Sequence, residues 1–283
     1  MAISSNLASR VILVKVPSWL LNGRHLNVIS VCTSTYNNSP DELARVWASL
    51  KSQTYKDWVW TVYDDSTDPT VWANLYGFCA DERYKVEMFK PHVPSRGNIG
   101  LSKHNCFMLA KGDLLVELDA DDEITPDALT EIAQAFQDPT IGFVYSDWCE
   151  ILPTGESGRY PDGWAFGYGN HYWDTEHQVW AMQSPEINHT TLSHIVSAPN
   201  HVRVWRADVY RKLGGHDIRL EVADDFDLVV RTCAVTRTHH IPKMLYKQHI
   251  GAHSAQRQRN ALIQQLVPEI RQKHPEFIFG LNS

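Results

Sequence analysis

Leu118-Asp119-Ala120-Asp121-Asp122 places three carboxylates within four residues, directly behind the apolar run Leu114-Leu115-Val116. That run reads as a strand, and carboxylates at its end sit at the carboxyl edge of a sheet, where open α/β folds bind ligands. Side chains so crowded with negative charge repel one another unless a cation lies among them. A hard divalent ion, Mg²⁺ or Mn²⁺, takes oxygen ligands and shares them with substrate phosphates. The same residues also suit a solvated acidic turn, with Asp122 or Thr125 as N-cap and Pro126 at the first helical position. A second acidic cluster follows at Ala223-Asp224-Asp225-Phe226-Asp227. One carboxylate there can act as a general base, and all three also suit the first turn of a helix.

The elements that must position these groups alternate from Asn27 onward. The spacing predicts strands over Val28–Thr33, Trp58–Tyr63, Lys85–Phe89, Leu114–Leu118 and Ile141–Trp148. Between them it predicts helices over Pro40–Ser52 (Ser39 as N-cap), Pro69–Cys79, Leu101–Ala110 and Pro126–Phe136. Such succession makes a mostly parallel α/β sheet with helices on both faces. The polar strand ends Thr33-Ser34-Thr35-Tyr36, Asp64-Asp65 and Asp119–Asp122 then converge on one crevice. After Trp148 the texture changes to a hairpin turn at Pro153-Thr154-Gly155-Glu156 and an aromatic-rich stretch over 160–194. Periodicity returns over Val202–Leu213, in a helix over Asp224–Val235, in a strand over Ile241–Tyr246 and in a C-terminal helix over 254–273. No linker separates independent domains.

The chain has 283 residues, 43% hydrophobic and 21% charged, which suits a globular protein with a substantial core. A net charge of −7 offers no basic footprint for a nucleic-acid backbone. A bound phosphate therefore needs a local device such as a metal or a helix N-terminus. The five cysteines are scattered and never form CxxC, so reduced thiols in a cytoplasmic protein are expected, peripheral attachment to a membrane left open. Val11-Ile12-Leu13-Val14 is broken by Lys15 and Pro17, far short of the roughly 20 apolar residues of a membrane span.

Taken in order, these segments resemble the family-2 inverting glycosyltransferases and their nucleotide-diphospho-sugar transferase (GT-A) fold. The resemblance rests on Ser30–Asn37, Ser49–Tyr55, Val62–Asp68, Asn98-Ile99-Gly100-Leu101-Ser102 and Leu118–Asp122. It continues through Leu213-Gly214-Gly215-His216-Asp217, Ala223–Leu228 and Tyr246-Lys247-Gln248-His249. Two departures stand out: His104 precedes Asn105 where the family has Arg, and Asp224-Asp225 replaces a Glu-Asp pair. The implied organisation is an N-terminal extension over 1–27, a GT-A domain over 28–253 and a C-terminal helix over 254–283. Within the domain, 28–149 is the nucleotide-sugar half and 150–253 a smaller, aromatic-rich acceptor and catalytic half.

The resemblance implies a donor nucleoside diphosphate sugar, a UDP-sugar first, with Ser34, Tyr36 and Asp65 around the base. Arg96, in a Gly-flanked loop, can reach a phosphate. Asp119 is implied at the ribose or a metal-bound water, and Asp121, with His249 and Asp119, at Mn²⁺ or Mg²⁺. Asp225 matches the catalytic base, with Asp224 beside it able to raise its pKa by like-charge repulsion. Trp164 and Trp173, with Asp224, are candidates for the acceptor, a glycan or a lipid-linked or protein-linked sugar, although rings in such a stretch also fill loop cores.

Three rival classes compete with this reading. A binding protein that kept the fold and lost turnover has no reason to keep both Asp121 and Asp225. A nucleotidyltransferase needs a Gly-rich, basic phosphate loop after the first strand, where this chain reads Thr33-Ser34-Thr35-Tyr36-Asn37-Asn38. An oxidoreductase fails likewise, since no GxGxxG follows that strand.

Overall fold

The run from Val28 to Thr35 has the apolar and β-branched composition of a strand buried on both faces. Ile29–Thr35 forms β1, with Ile29 and Val31 fully buried. This computed structural model describes residues 28–80, 85–196, 198–251 and 259–278. The expected extension 1–27, and residues 254–258 and 279–283 of the expected C-terminal helix, lie outside the described residues.

Helix α1 (Pro40–Lys51) starts where its cap dictates. The Ser39 hydroxyl accepts from the Glu42 N–H at 3.3 Å, and Glu42 Oε2 accepts from the Ser39 N–H at 2.8 Å, a reciprocal capping box. Its apolar face packs on the core, where Trp47 stacks on Trp60 with ring centroids 5.6 Å apart. β2 (Trp58–Asp64), α2 (Pro69–Phe78) and β3 (Val86–Phe89) continue the alternation. α3 (Ile99–Leu109) begins two residues before the expected Leu101, because Asn98 Oδ1 caps it by accepting from the Leu101 N–H at 2.8 Å.

β4 (Leu114–Glu117) leads through the acidic loop to the two-residue β5 (Glu123–Ile124) and α4 (Ala128–Ala135). The expected cap of α4 does not form. The Thr125 hydroxyl donates to Asp127 Oδ1 at 2.7 Å, Asp122 is bonded elsewhere, and the helix starts at Ala128 rather than Pro126. β6 (Ile141–Ile151) runs past the expected Trp148. β7 (Asn170–Asp174) and β8 (Val179–Gln183) form a hairpin joined to β6 through the Trp148–Met182 pair, and α5 (His189–His194) follows. The periodic segment Val202–Leu213 divides into β9 (Arg203–Arg206) and α6 (Ala207–Lys212). α7 (Asp224–Cys233), the long β10 (Arg237–His249) and α8 (Asn260–Lys273) follow.

The sheet order is β3-β2-β1-β4-β9-β6-β10-β5. The first four strands are parallel, and so are β6 and β10, as the alternation predicts. One buried cluster unites α1, α2 and α4 with one face of the sheet, and a second unites α3, α6, α7 and α8 with the other. The order places the ends of β1, β2 and β4 side by side, with Thr35 paired to Asp64 and Cys32 to Glu117. β9 runs antiparallel between β4 and β6, which sets its first residue, Arg203, opposite Glu117, the last residue of β4. No helix among the described residues is long and apolar enough to cross a membrane.

Candidate active site

Glu117 and Arg203 are both almost fully buried, and a charge out of water must be paired. They form a two-pronged ion pair, Arg203 Nε to Glu117 Oε2 at 2.8 Å and Nη2 to Oε1 at 3.0 Å. Lys103, from α3, adds its ammonium to Glu117 Oε1 at 2.5 Å and to Asp119 Oδ1 at 3.1 Å. Arg203 Nη1 donates to Asp225 Oδ2 at 2.7 Å. One continuous ionic chain therefore runs Asp119–Lys103–Glu117–Arg203–Asp225. Burial alone would raise the Glu117 carboxyl, but Arg203 and then Lys103 outweigh it and hold it well below the usual range. Removing one partner of such a buried pair costs about 3–5 kcal/mol, because the other is left uncompensated.

The acidic loop splits its three carboxylates by role. Asp119 is a third exposed and faces Lys103 and the His201 ring, whose Nε2 lies 3.4 Å from Oδ2. Burial opposes its ionisation, but Lys103 and His201 hold it well below the ordinary range. Asp122 is structural. It accepts from the Tyr246 hydroxyl at 2.7 Å and the His249 N–H at 2.7 Å, tying the loop to the end of β10. Asp121 is pushed up to about 6, by burial first and then by Asp119 and Glu42. Its backbone oxygen accepts from Arg45 Nη1 at 2.7 Å. The expected trio of Asp119, Asp121 and His249 is not assembled, because the His249 ring pairs with Glu123 at 3.1 Å instead. Among the described residues no group of three His, Cys, Asp or Glu side chains is gathered as a metal site.

The residues expected on the donor side surround the loop before α3. Asp65 is 1% exposed; its Oδ1 accepts from the Ser95 N–H at 2.7 Å, and its Oδ2 from the Ser95 and Ser102 hydroxyls. Asp64 is turned to Lys90 at 2.8 Å. Ser34 is half-buried at the end of β1, and Tyr36 is exposed with its ring edge beside Gly97. Arg96 is exposed and, with Gly97, has positive φ. His104 makes its contact away from the strand ends, with Nδ1 3.0 Å from the His216 carbonyl oxygen. A Cβ at Gly100 would stand 2.3 Å from the Leu220 oxygen and 3.2 Å from Asp224 Cβ. Only glycine allows α3 to approach so closely the loop that carries the second acidic cluster.

That cluster opens α7. Asp225 is 37% exposed at its side chain and keeps Oδ1 on the Phe226 N–H at 2.8 Å. The expectation that Asp224 raises its pKa is reversed. Burial favours the neutral acid, but Arg203 and then Lys103 prevail and keep Asp225 below the usual carboxylate range. Asp224 is the group that rises, to about 7, because it is buried and lacks such a partner. Its Oδ2 has no hydrogen-bond partner and lies 3.8 Å from the equally unpartnered Nε2 of His216. Asp227 is structural, paired with Arg231 one turn on.

Of the candidate acceptor rings, Trp164 packs edge-to-face against Trp148 and Tyr160, and its Nε1–H donates to the Asn170 oxygen at 3.1 Å. Trp173 is 43% exposed on the β7–β8 hairpin. Lys103, Glu117, His201 and Arg203 belong to no motif in the sequence that marks them as functional. A signal existed, since Glu117 follows Leu114-Leu115-Val116 and Arg203 sits between Val202 and Val204. A charge inside a run that must be buried requires an opposite charge.

The fold is of the GT-A type, a mixed α/β domain with a mostly parallel central sheet. The family model for Glycosyl transferase family 2 matches residues 30–214, and the chain belongs to that family. It is 26% identical over 227 residues to the O-antigen biosynthesis protein RfbC of Myxococcus xanthus, covering 80% of this chain and 16% of that protein. It is 26% identical over 231 residues to the hyaluronan synthase of Pasteurella multocida, covering 79% and 21%. The chain spans about a fifth of the length of the curated relatives it matches. Among solved structures, S. aureus TarS 1–349 in complex with UDP-GlcNAc superposes with a TM-score of 0.60 at 16% identity, over 80% of this chain and 59% of that one. The mannosyltransferase PcManGT from Pyrobaculum calidifontis, in complex with GDP-Man and Mn²⁺, gives 0.63 at 14% identity, over 87% and 64%. These likenesses show a shared fold.

Proposed function

We propose that this domain moves a sugar from a nucleoside diphosphate sugar, a UDP-sugar in the first instance, to a hydroxyl of a glycan or related acceptor, with inversion at the anomeric carbon. Asp225 carries the reading. It is an open carboxylate at the start of a helix, held ionised by Arg203 and joined through buried charges to Asp119 on the donor side. As general base it takes the acceptor hydroxyl proton while that oxygen bonds to the anomeric carbon and the nucleoside diphosphate leaves. The half over 28–149 supplies the donor side, and the half over 150–253 supplies the base and the acceptor surface.

The donor base lies between Tyr36 and the loop that Asp65 ties down, with Ser34 at the strand end and Arg96 within reach of the phosphates. The oxygen donors of Asp121 and Asp119 suit a hard divalent ion, Mn²⁺ or Mg²⁺, and Asp121 is crowded by carboxylates that such an ion would relieve. When bound, the ion supplies Lewis-acid stabilisation of the departing diphosphate. Trp173 offers an open ring for the acceptor. A screen of nucleotide sugars for Mn²⁺-dependent hydrolysis and transfer tests the proposal, and no turnover of any donor, with or without acceptor glycans, would refute it.

A further inference from the structure

We infer that Arg203 is the positioning residue for Asp225. The inference rests on Asp225 being the base, and it concerns how that base is held. Asp225 has little else to orient it. Its other hydrogen bond is to the next residue's N–H, and the preceding Ala223, at φ 59°, caps α7 with no side-chain bond. Arg203, by contrast, cannot wander. It is 4% exposed, stands in register opposite Glu117, and has two guanidinium nitrogens fixed by that carboxylate at 2.8 and 3.0 Å. The guanidinium is a rigid planar fork, so fixing Nε and Nη2 fixes Nη1 as well. Nη1 meets Asp225 Oδ2 at 2.7 Å. The base is thereby referenced to the central sheet as well as to the first turn of its own helix.

The titratable and charged groups facing Asp225 are Arg203 on β9, Lys103 on α3, Glu117 on β4, Asp224 on α7 and the His216 ring, which burial keeps neutral, in the segment between α6 and α7. Arg203 is the only one of these with a direct hydrogen bond to it among the described residues. Losing it raises the proton affinity of Asp225, so the acidic limb of the rate profile moves to higher pH.

The test uses the whole chain and compares Arg203→Gln, Arg203→Lys, Asp225→Asn and the double variant Arg203→Gln/Asp225→Asn. Arg203→Gln is expected to lower kcat about 10²-fold, the scale of a misplaced catalytic group. UDP affinity should stay at the parent value by calorimetry, and the acidic limb should rise. Arg203→Lys keeps the charge without the fork and should recover part of the rate. Because Arg203 acts through Asp225, Arg203→Gln should cost nothing further in the Asp225→Asn background. A folded Arg203→Gln enzyme with parental kcat and acidic limb overturns the inference, as do additive losses in the double variant. If Arg203→Gln does not fold, parental kcat in Arg203→Lys overturns it and a reduced kcat with intact UDP affinity supports it. Parental turnover by Asp225→Asn alone refutes the assignment of the base itself, which is a separate result.

Discussion

Asp224 and Asp225 are neighbours in the chain whose pKa values move in opposite directions. Asp224 is pushed up to about 7 by burial, while Arg203 holds Asp225 below the ordinary carboxylate range. Environments that separate the pKa values of adjacent carboxyls also separate their roles. Asp225 is the ionised, open group, and Asp224 is the buried one.

Asp225→Asn should lower the transfer rate by about 10²–10⁴, the usual contribution of a positioned base. Donor affinity should hold, because the nucleotide side does not touch Asp225, and the parent's product should be inverted. A variant that merely loses a helix-terminal charge would instead show a stability loss of about 0.3–1 kcal/mol with turnover intact. Transfer rate and melting temperature, measured together, separate the two.

Asp224→Asn should stabilise the protein most at alkaline pH and less at pH 5, and leave stability near the parental level only below the unfolded carboxyl pKa of about 3.9. The folded pKa lies above the unfolded one, so the native state binds the proton more tightly than the unfolded chain. Stability is then full at pH below the unfolded value and is lost as pH rises through about 7. The gain in the variant is on the order of a few kcal/mol. Denaturant titrations at pH 5 and pH 8 give the answer, and equal curves for parent and variant at pH 8 would contradict it.

Asp121→Ala should abolish transfer and weaken UDP binding in the presence of Mn²⁺, because the pyrophosphate loses its cation. Excess EDTA should do the same to the parent enzyme. Full activity in EDTA would exclude the metal.

Asp65→Ala should weaken UDP binding through the loop. The Ser95 N–H and the Ser95 and Ser102 hydroxyls lose their acceptor, at a cost of about 1–3 kcal/mol for a buried donor left unmade. Calorimetry with UDP reads the affinity, and an unchanged value would remove Asp65 from the donor site.

Local chemistry by itself determined much of this molecule. The alternation of apolar runs with capped helical segments specified the parallel sheet, because period and capping are properties of a few adjacent residues; Ser39 caps α1 as expected, and Glu42 completes a box with it. The strand-end signatures at Ser34–Tyr36, Asp64-Asp65 and Asp119–Asp122 were legible for the same reason. Only the tertiary structure decided what each acid does. Asp122 looked like a helix cap and is a tie to Tyr246 and His249, since its partners lie more than 120 residues away. His249 went to Glu123, and Arg203 reached Glu117 because β9 enters the sheet in reverse between β4 and β6. Charge pairing across strands depends on sheet order and register, and those are long-range properties that no window of sequence contains.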